Sequence, residues 1–259
     1  MKLYDLVTRI SYNHDIVFQI ILIKDNIYYL KGVDYRLGAT AFENDLLPYE
    51  ETLSLQLPYI NIKPYIANGK ILHIDGDKIY VQKSKEAYDK YHLNATCIYL
   101  DEAMIPNSII PLLSQDKYDI LVITGHDFLK DKKHSLDDLT TYENSINFVS
   151  AVQQARKLYP DLDSLVIIAG ACQSNYEALI ANGANFASSP TRDNIHLLDP
   201  IIVASIIATT SIKDYVAPKE VVNKTISQAM GGIETKGKAR LHYAGETSYD
   251  HIDKGLRKN

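Results

Sequence analysis

The 259-residue chain is 46% hydrophobic and 23% charged, a balance that supports a buried core and excludes wholesale disorder. Its formal charge of -5, with no basic cluster beyond the short run at 130–133, argues against nucleic acid or an anionic membrane as the main partner, because phosphate binding draws on clustered Lys and Arg. Two cysteines, Cys97 and Cys172, are too few for a disulfide framework, no charged-then-apolar segment opens the sequence, and no stretch approaches a membrane span of roughly 20 residues, so a reducing, cytoplasmic setting is expected.

Between residues 5 and 46, β-rich runs at 16–23 and 27–30 are separated by turn signals such as Asn13-His14-Asp15 and Asp25-Asn26, which predicts a small, strongly bent β-barrel or sheet. From 48 to 69 the pattern loses its periodicity around Pro48, Pro58, Pro64 and Asn68-Gly69, the punctuation of a linker, and a boundary is expected near residue 65. The chain then divides into a module at 1–64 and a larger domain at 65–259. In the larger domain, apolar runs at 70–74, 95–100, 120–123 and 165–169, with a shorter one at 185–188, read as buried strands. Helical segments alternate with them at 80–92, 107–115, 142–158, 175–182, 199–207 and 218–230. Such alternation implies parallel strands joined by right-handed crossovers, a doubly wound α/β sheet with its ligand site beyond the carboxyl ends of the strands.

Four polar clusters fall at those ends: Asp75-Gly76-Asp77, Thr124-Gly125-His126-Asp127, Ala171-Cys172-Gln173-Ser174 and Ser188-Ser189-Pro190. Two carry a thiol and an imidazole, and strands adjacent in a doubly wound order would bring Cys172 and His126 to one rim. A neighbouring imidazole or a helix N-terminus turns a thiol into thiolate, the nucleophilic form. The helix predicted at 175–182 offers Cys172 unpaired N–H groups, which would also hold an oxyanion, and the small Gly170 and Ala171 would let substrate approach the backbone. A buried Cys is otherwise a small apolar filler, the reading given to Cys97 inside its strand. Among the remaining histidines only His196 competes as a base. No His pair at i, i+4 or Cys-x-x-Cys spacing suggests a metal, and a lone Gly76 makes no dinucleotide fingerprint, so no metal or organic cofactor is expected.

An apolar strand ending in Thr-Gly-His, followed after about fifty residues by one ending in Ala-Cys with Gln and Ser, resembles the caspase-like group of cysteine peptidases. The blocks DILVITGHD (119–127), AGACQS (169–174), GANFASSPTR (183–192) and NIHLLDP (194–200), with LHIDGD (72–77) and GGIETKG (231–237), are similar to the sporulation-specific YabG family of cysteine peptidases from endospore-forming bacteria. The resemblance implies a caspase-like three-layer α/β/α sheet beside a small SH3-like N-terminal β-barrel. It also implies an endopeptidase that cleaves spore coat and cortex proteins after Arg or Lys, working in the mother-cell cytoplasm or on the forming coat. His126 becomes general base and acid and Cys172 the nucleophile. The N–H of Cys172, with that of Gly125 or Asp127, forms the oxyanion hole; Asp127 stands where the wider group usually has Gly. Asp75, Asp77, Ser188 and Ser189 are the candidates for the pocket that takes a basic side chain, and the N-terminal module is expected to dock substrate. The linker near 48–69 and the polar loop at 127–141, which carries Lys130, Lys132 and Lys133, are the candidate sites of self-cleavage. The alternatives are another Cys-dependent hydrolase or amidase on the same sheet and a non-catalytic spore scaffold protein.

Overall fold

The computed structural model of the protein describes residues 1–50, 56–60, 68–130, 136–188, 190–211, 214, 216–227 and 233–235. Residue 65, Ser189, Lys132, Lys133 and both ends of the block at 231–237 lie outside the described residues. The chain divides into two units, Met1–Gln56 and Leu57–Asn259.

In the first unit, β1 (Leu6–Arg9), β2 (Val17–Lys24), β3 (Ile27–Gly32), β4 (Gly38–Phe42) and β5 (Leu46–Pro48) form an antiparallel sheet in the order β4-β3-β2-β1-β5. The β2–β3 hairpin turns on Asp25 and Asn26, with φ of 51° and 60°, the left-handed conformation that these two residue types tolerate and a tight hairpin requires. Val7, Phe18, Ile20, Leu30 and Leu46 form the unit's core. A register shift between Ile20 and Leu22 interrupts the β2–β3 ladder, and a bulge of this kind bends its strand.

The second unit is built on β6 (Ile71–Asp75), β7 (Ala95–Tyr99), β8 (Ile120–Thr124), β9 (Val166–Ala169), β10 (Phe186–Ser188) and β11 (Ile233–Thr235), in the order β11-β10-β9-β8-β6-β7. β6 to β10 pair in parallel, as their alternation with helices predicts. The edge strand β11, antiparallel to β10, was not expected. The helices are α1 (Lys78–Lys90), α2 (Ile105–Leu113), α3 (Ser145–Leu158), α4 (Tyr176–Ala181), α5 (Asp199–Thr209) and α6 (Pro218–Lys224).

Register assigns the two faces of the sheet. Leu72 lies beside Leu121, Ile74 beside Ile123, and Leu121 beside Ile167. These residues share one buried cluster with Ile105, Ile109, Phe148 and Val152 of α2 and α3. Burying each such side chain fully is worth roughly 1.5–3 kcal/mol. α1 packs on β6 and β7 and α5 on β8 and β9, and the two helices touch each other. From Pro200 to Ala208 nearly every residue of α5 is buried, which is why that segment reads as uniformly apolar instead of amphipathic. The α1 side of β6 is polar where it matters: His73 and Asp75 are fully buried there, with His73 Nδ1 3.0 Å from the Tyr88 hydroxyl. β6, β8 and β9 are therefore three neighbours whose carboxyl ends open on a common edge.

Candidate active site

The parallel register of β8 and β9 pairs Ile123 with Ala169. His126 and Cys172 each follow three residues after that rung, so the two loops leave the sheet side by side. Backbone pairing continues one step past it, with Gly170 N–H donating to Ile123 C=O at 3.0 Å. Beyond that point side chains lace the loops together. The Ser174 hydroxyl donates to Asp127 Oδ2 at 2.9 Å and accepts from Ala171 N–H at 2.8 Å. Leu129 N–H donates to Gln173 Oε1 at 3.2 Å.

Asp127 is the hub of this lacing. Its carboxylate is buried and also accepts from the Ser145 hydroxyl and from the N–H groups of Phe128 and Asn144, at 3.0 and 2.8 Å. Burial pushes its pKa up despite these donors, because desolvating the charged form outweighs what the hydrogen bonds return. The side chain thus points into the protein, fixing the His126 loop to the start of α3 and to the Cys172 loop.

His126 sits over the start of α1. Its Nε2 is 2.7 Å from Asp77 Oδ2, with the imidazole side chain 37% exposed and the carboxylate 4%. The other Asp77 oxygen, Oδ1, accepts from Ile79 N–H at 2.9 Å and Tyr80 N–H at 3.4 Å, capping the helix. The Tyr80 ring lies 5.8 Å from the imidazole, centroid to centroid. The backbone is held as well, His126 N–H donating to Glu102 Oε1 at 2.9 Å. A Cβ on Gly76 or Gly125 would fall 2.1 or 2.6 Å from Glu102 Oε1, so only glycines leave room for this carboxylate above the ends of β6 and β8.

Cys172 is 2% exposed. Its sulfur accepts the N–H of Ile195 at 3.3 Å and lies 3.9 Å from the Ile195 carbonyl. The next residue, Gln173, has φ of 57°, a left-handed conformation uncommon for a non-glycine residue and concentrated at functional turns. α4 begins only at Tyr176, after its N-cap Asn175, and spans 6 residues; a dipole that fades within the first turn does little at Cys172. Where the sequence led to a helix terminus beside Cys172, the sulfur meets the Ile195 N–H of the 194–200 segment. Gly170 also has a different reason to be glycine: its φ is +107°, and a Cβ there would lie 2.9 Å from Leu179 Cδ1 and 3.3 Å from Ser188 Cβ.

The other sequence candidates fall as follows. Asp75 is fully buried and its Oδ1 accepts Asp77 N–H at 2.9 Å. Ser188 is buried, its hydroxyl donating to Gly170 C=O at 3.2 Å. His196 is 8% exposed and its Nδ1 accepts Leu198 N–H at 3.1 Å; a neutral ring so held carries its proton on Nε2 and offers no lone pair there. Burial raises the Cys97 pKa to about 12, which keeps that thiol protonated and fits its structural reading. Among the described residues no group of three His, Cys, Asp or Glu side chains could hold a metal ion, and no helix is long and apolar enough to cross a membrane.

The sequence matches the family described as YabG peptidase U57 over residues 2–58 and 58–244. The chain belongs to the YabG peptidase family. A relative, the sporulation-specific protease YabG of Bacillus subtilis (strain 168), is 38% identical over 277 residues, covering 92% of this chain and 96% of the relative. No solved structure matches. Membership of the YabG family makes the chain a peptidase with a role in sporulation, and its substrates proteins. The blocks quoted from the sequence coincide with the three strand ends described above, at 72–77, 119–127 and 169–174, and with the 194–200 segment that meets the sulfur. Three contacts of the site were missed in the sequence: Asp77 with His126, Glu102 with the His126 backbone, and Ile195 with Cys172. The signal for the first was present, since an Asp ending a strand and preceding a helix reads as an N-cap, and the strand it ends is the neighbour of β8.

Proposed function

We propose that this YabG-family peptidase is a cysteine endopeptidase in which Cys172 is the nucleophile and His126 the general base and acid. The observation that carries the proposal is the Ile123–Ala169 rung between neighbouring parallel strands, since His126 and Cys172 each follow three residues after it. The reading is supported by the lacing of the two loops through Asp127, Ser174 and Gln173.

The chemistry balances within the protein and water. His126 takes the thiol proton of Cys172; the sulfur attacks the scissile carbonyl, and a C–S bond forms as the carbonyl electrons move to oxygen. The N–H of Cys172, with that of Gly125 or Asp127, would hold this oxyanion. Each such donor is worth on the order of 3 kcal/mol in the transition state. Collapse breaks the C–N bond, His126 returns the proton to the leaving amine, and a thioester acyl-enzyme remains. Water then gives its proton to His126 and attacks the thioester, releasing the carboxylic acid and restoring the thiol.

Cleavage after Arg or Lys in spore coat and cortex proteins, in the mother cell, is the substrate reading that the family resemblance favours. The carboxylates at this edge, Asp75, Asp77 and Glu102, would bias it toward cationic side chains. A caspase-like α/β/α arrangement for the larger unit and an SH3-like topology for the smaller are proposed on the same ground.

The deciding experiment compares the full chain with Cys172→Ala on a peptide carrying one Arg-X bond. Turnover should vanish while the far-UV circular dichroism and melting temperature stay unchanged. A Cys172→Ala variant that cleaves at the parent rate overturns the proposal.

A further inference from the structure

We infer that Asp77 is the positioning residue of the His126 base: by accepting the Nε2 proton it fixes the tautomer and presents Nδ1 to Cys172. The inference rests on the thiol–imidazole reading above, and assigns Asp77 a role other than that of pocket carboxylate.

Four observations point this way. The Asp77 Oδ2 to His126 Nε2 separation is 2.7 Å, a short, charge-assisted hydrogen bond. The carboxylate is nearly buried and its other oxygen is engaged by the first N–H groups of α1, so its direction is set by the helix it caps. An acceptor aimed at Nε2 obliges the neutral ring to carry its proton there, and the lone pair then lies on Nδ1. That nitrogen has no hydrogen-bond partner among the described residues, on a ring whose side chain is 37% exposed. The ring is thus held on one edge and open on the other.

The surroundings of the imidazole agree. Among the described residues, the charged groups bonded to His126 are Asp77 from the β6–α1 turn, at the ring, and Glu102, at the backbone N–H; Tyr80 of α1 supplies an apolar ring face. Asp127, the neighbour in sequence, turns its carboxylate away toward Ser145 and Ser174. A carboxylate so placed stabilises the imidazolium that forms when the thiol gives up its proton, without taking the proton itself.

Asp77→Asn isolates the proposal, because Asn caps a helix as well as Asp does. With the amide oxygen capping α1, the amide NH2 faces Nε2 and drives the ring proton to Nδ1. We expect kcat on an Arg-X peptide to fall by up to about ten-thousandfold, the size of a wrong-tautomer substitution elsewhere, with KM changed less than threefold. Alkylation of Cys172 by iodoacetamide at neutral pH should slow in parallel. Nitrogen-15 NMR of the imidazole should show the proton on Nε2 in the parent and on Nδ1 in the variant.

Asp77→Ser, which also caps but carries no charge and is too short to reach the ring, should lose kcat likewise and provides a second folded variant. A kcat within threefold of the parent in both variants overturns the inference. So does a rise in KM confined to Arg and Lys substrates with kcat retained, which would make Asp77 a pocket residue. Were Cys172→Ala to stay active, the thiol reading would fall; the NMR tautomer, read without turnover, would still decide whether Asp77 sets the ring.

Discussion

Replacing Asp127 by Ala tests whether the loops that carry His126 and Cys172 are held together by one buried carboxylate. The substitution strips the acceptor from the N–H groups of Phe128 and Asn144 and from the hydroxyls of Ser145 and Ser174. The hydroxyls can rotate to other partners, but the backbone N–H groups cannot, and each buried donor left unpaired costs roughly 1–3 kcal/mol. The carboxylate's own desolvation, which pushes its pKa up, returns part of that sum, leaving a net loss of about 3 kcal/mol. In a chain of this size 1 kcal/mol shifts the melting temperature by about 2–4 °C, so calorimetry of the full chain at neutral pH should show a fall of roughly 6–12 °C. Peptide cleavage should drop even well below the melt, since the loop bearing Ser174 loses its tie. Asp127→Asn adds a check of sign. A carboxyl whose pKa is raised by folding contributes most below its ordinary value of 3.8 and less as pH climbs through the raised one. The Asn variant does not titrate, so it should gain in stability relative to the parent between about pH 4 and neutrality. A melting temperature within about 2 °C of the parent for Asp127→Ala would refute the reasoning.

Two further substitutions probe the scaffold. Gly170→Ala forces a side chain into φ of +107° and against Leu179; a loss of about 1–3 kcal/mol is expected in urea denaturation, and an unchanged midpoint would show that the turn relaxes freely. Arg156, whose pKa burial lowers to about 10, spans the carbonyls of Tyr159, Leu165 and Gly183 and the Asn185 side chain. Arg156→Lys keeps charge but loses the planar fork, so a melting drop comparable to that of Arg156→Met is expected; full rescue by Lys would argue that charge alone matters.

Long buried elements were legible because burial writes itself into composition. The runs at 120–123 and 165–169 are apolar on both faces, as strands covered on both sides must be, and α5 is apolar all round for the same reason. β1, β5 and β11, with 4, 3 and 3 residues, were not, being too short for a period to show; β10, equally short, was legible from its buried run and its place after a helix. In the site, His126 and Cys172 could be singled out from their places at strand ends. The partners could not, because Asp75-Gly76-Asp77 is equally good turn chemistry, and only the adjacency of β6 and β8 tells which histidine Asp77 meets. The Ile195 contact is harder still, since the segment at 194–200 has no strand to fix its register.

The acid, the imidazole and the sulfur come from β6, β8 and β9, neighbours in space but separated along the chain by α1 to α3. No short fragment holds two of them, and the trio meets only after β8 has joined the open edge of β6 and β9 the open edge of β8. On the proposed chemistry, a chain cut short before β9 would therefore lack the site altogether.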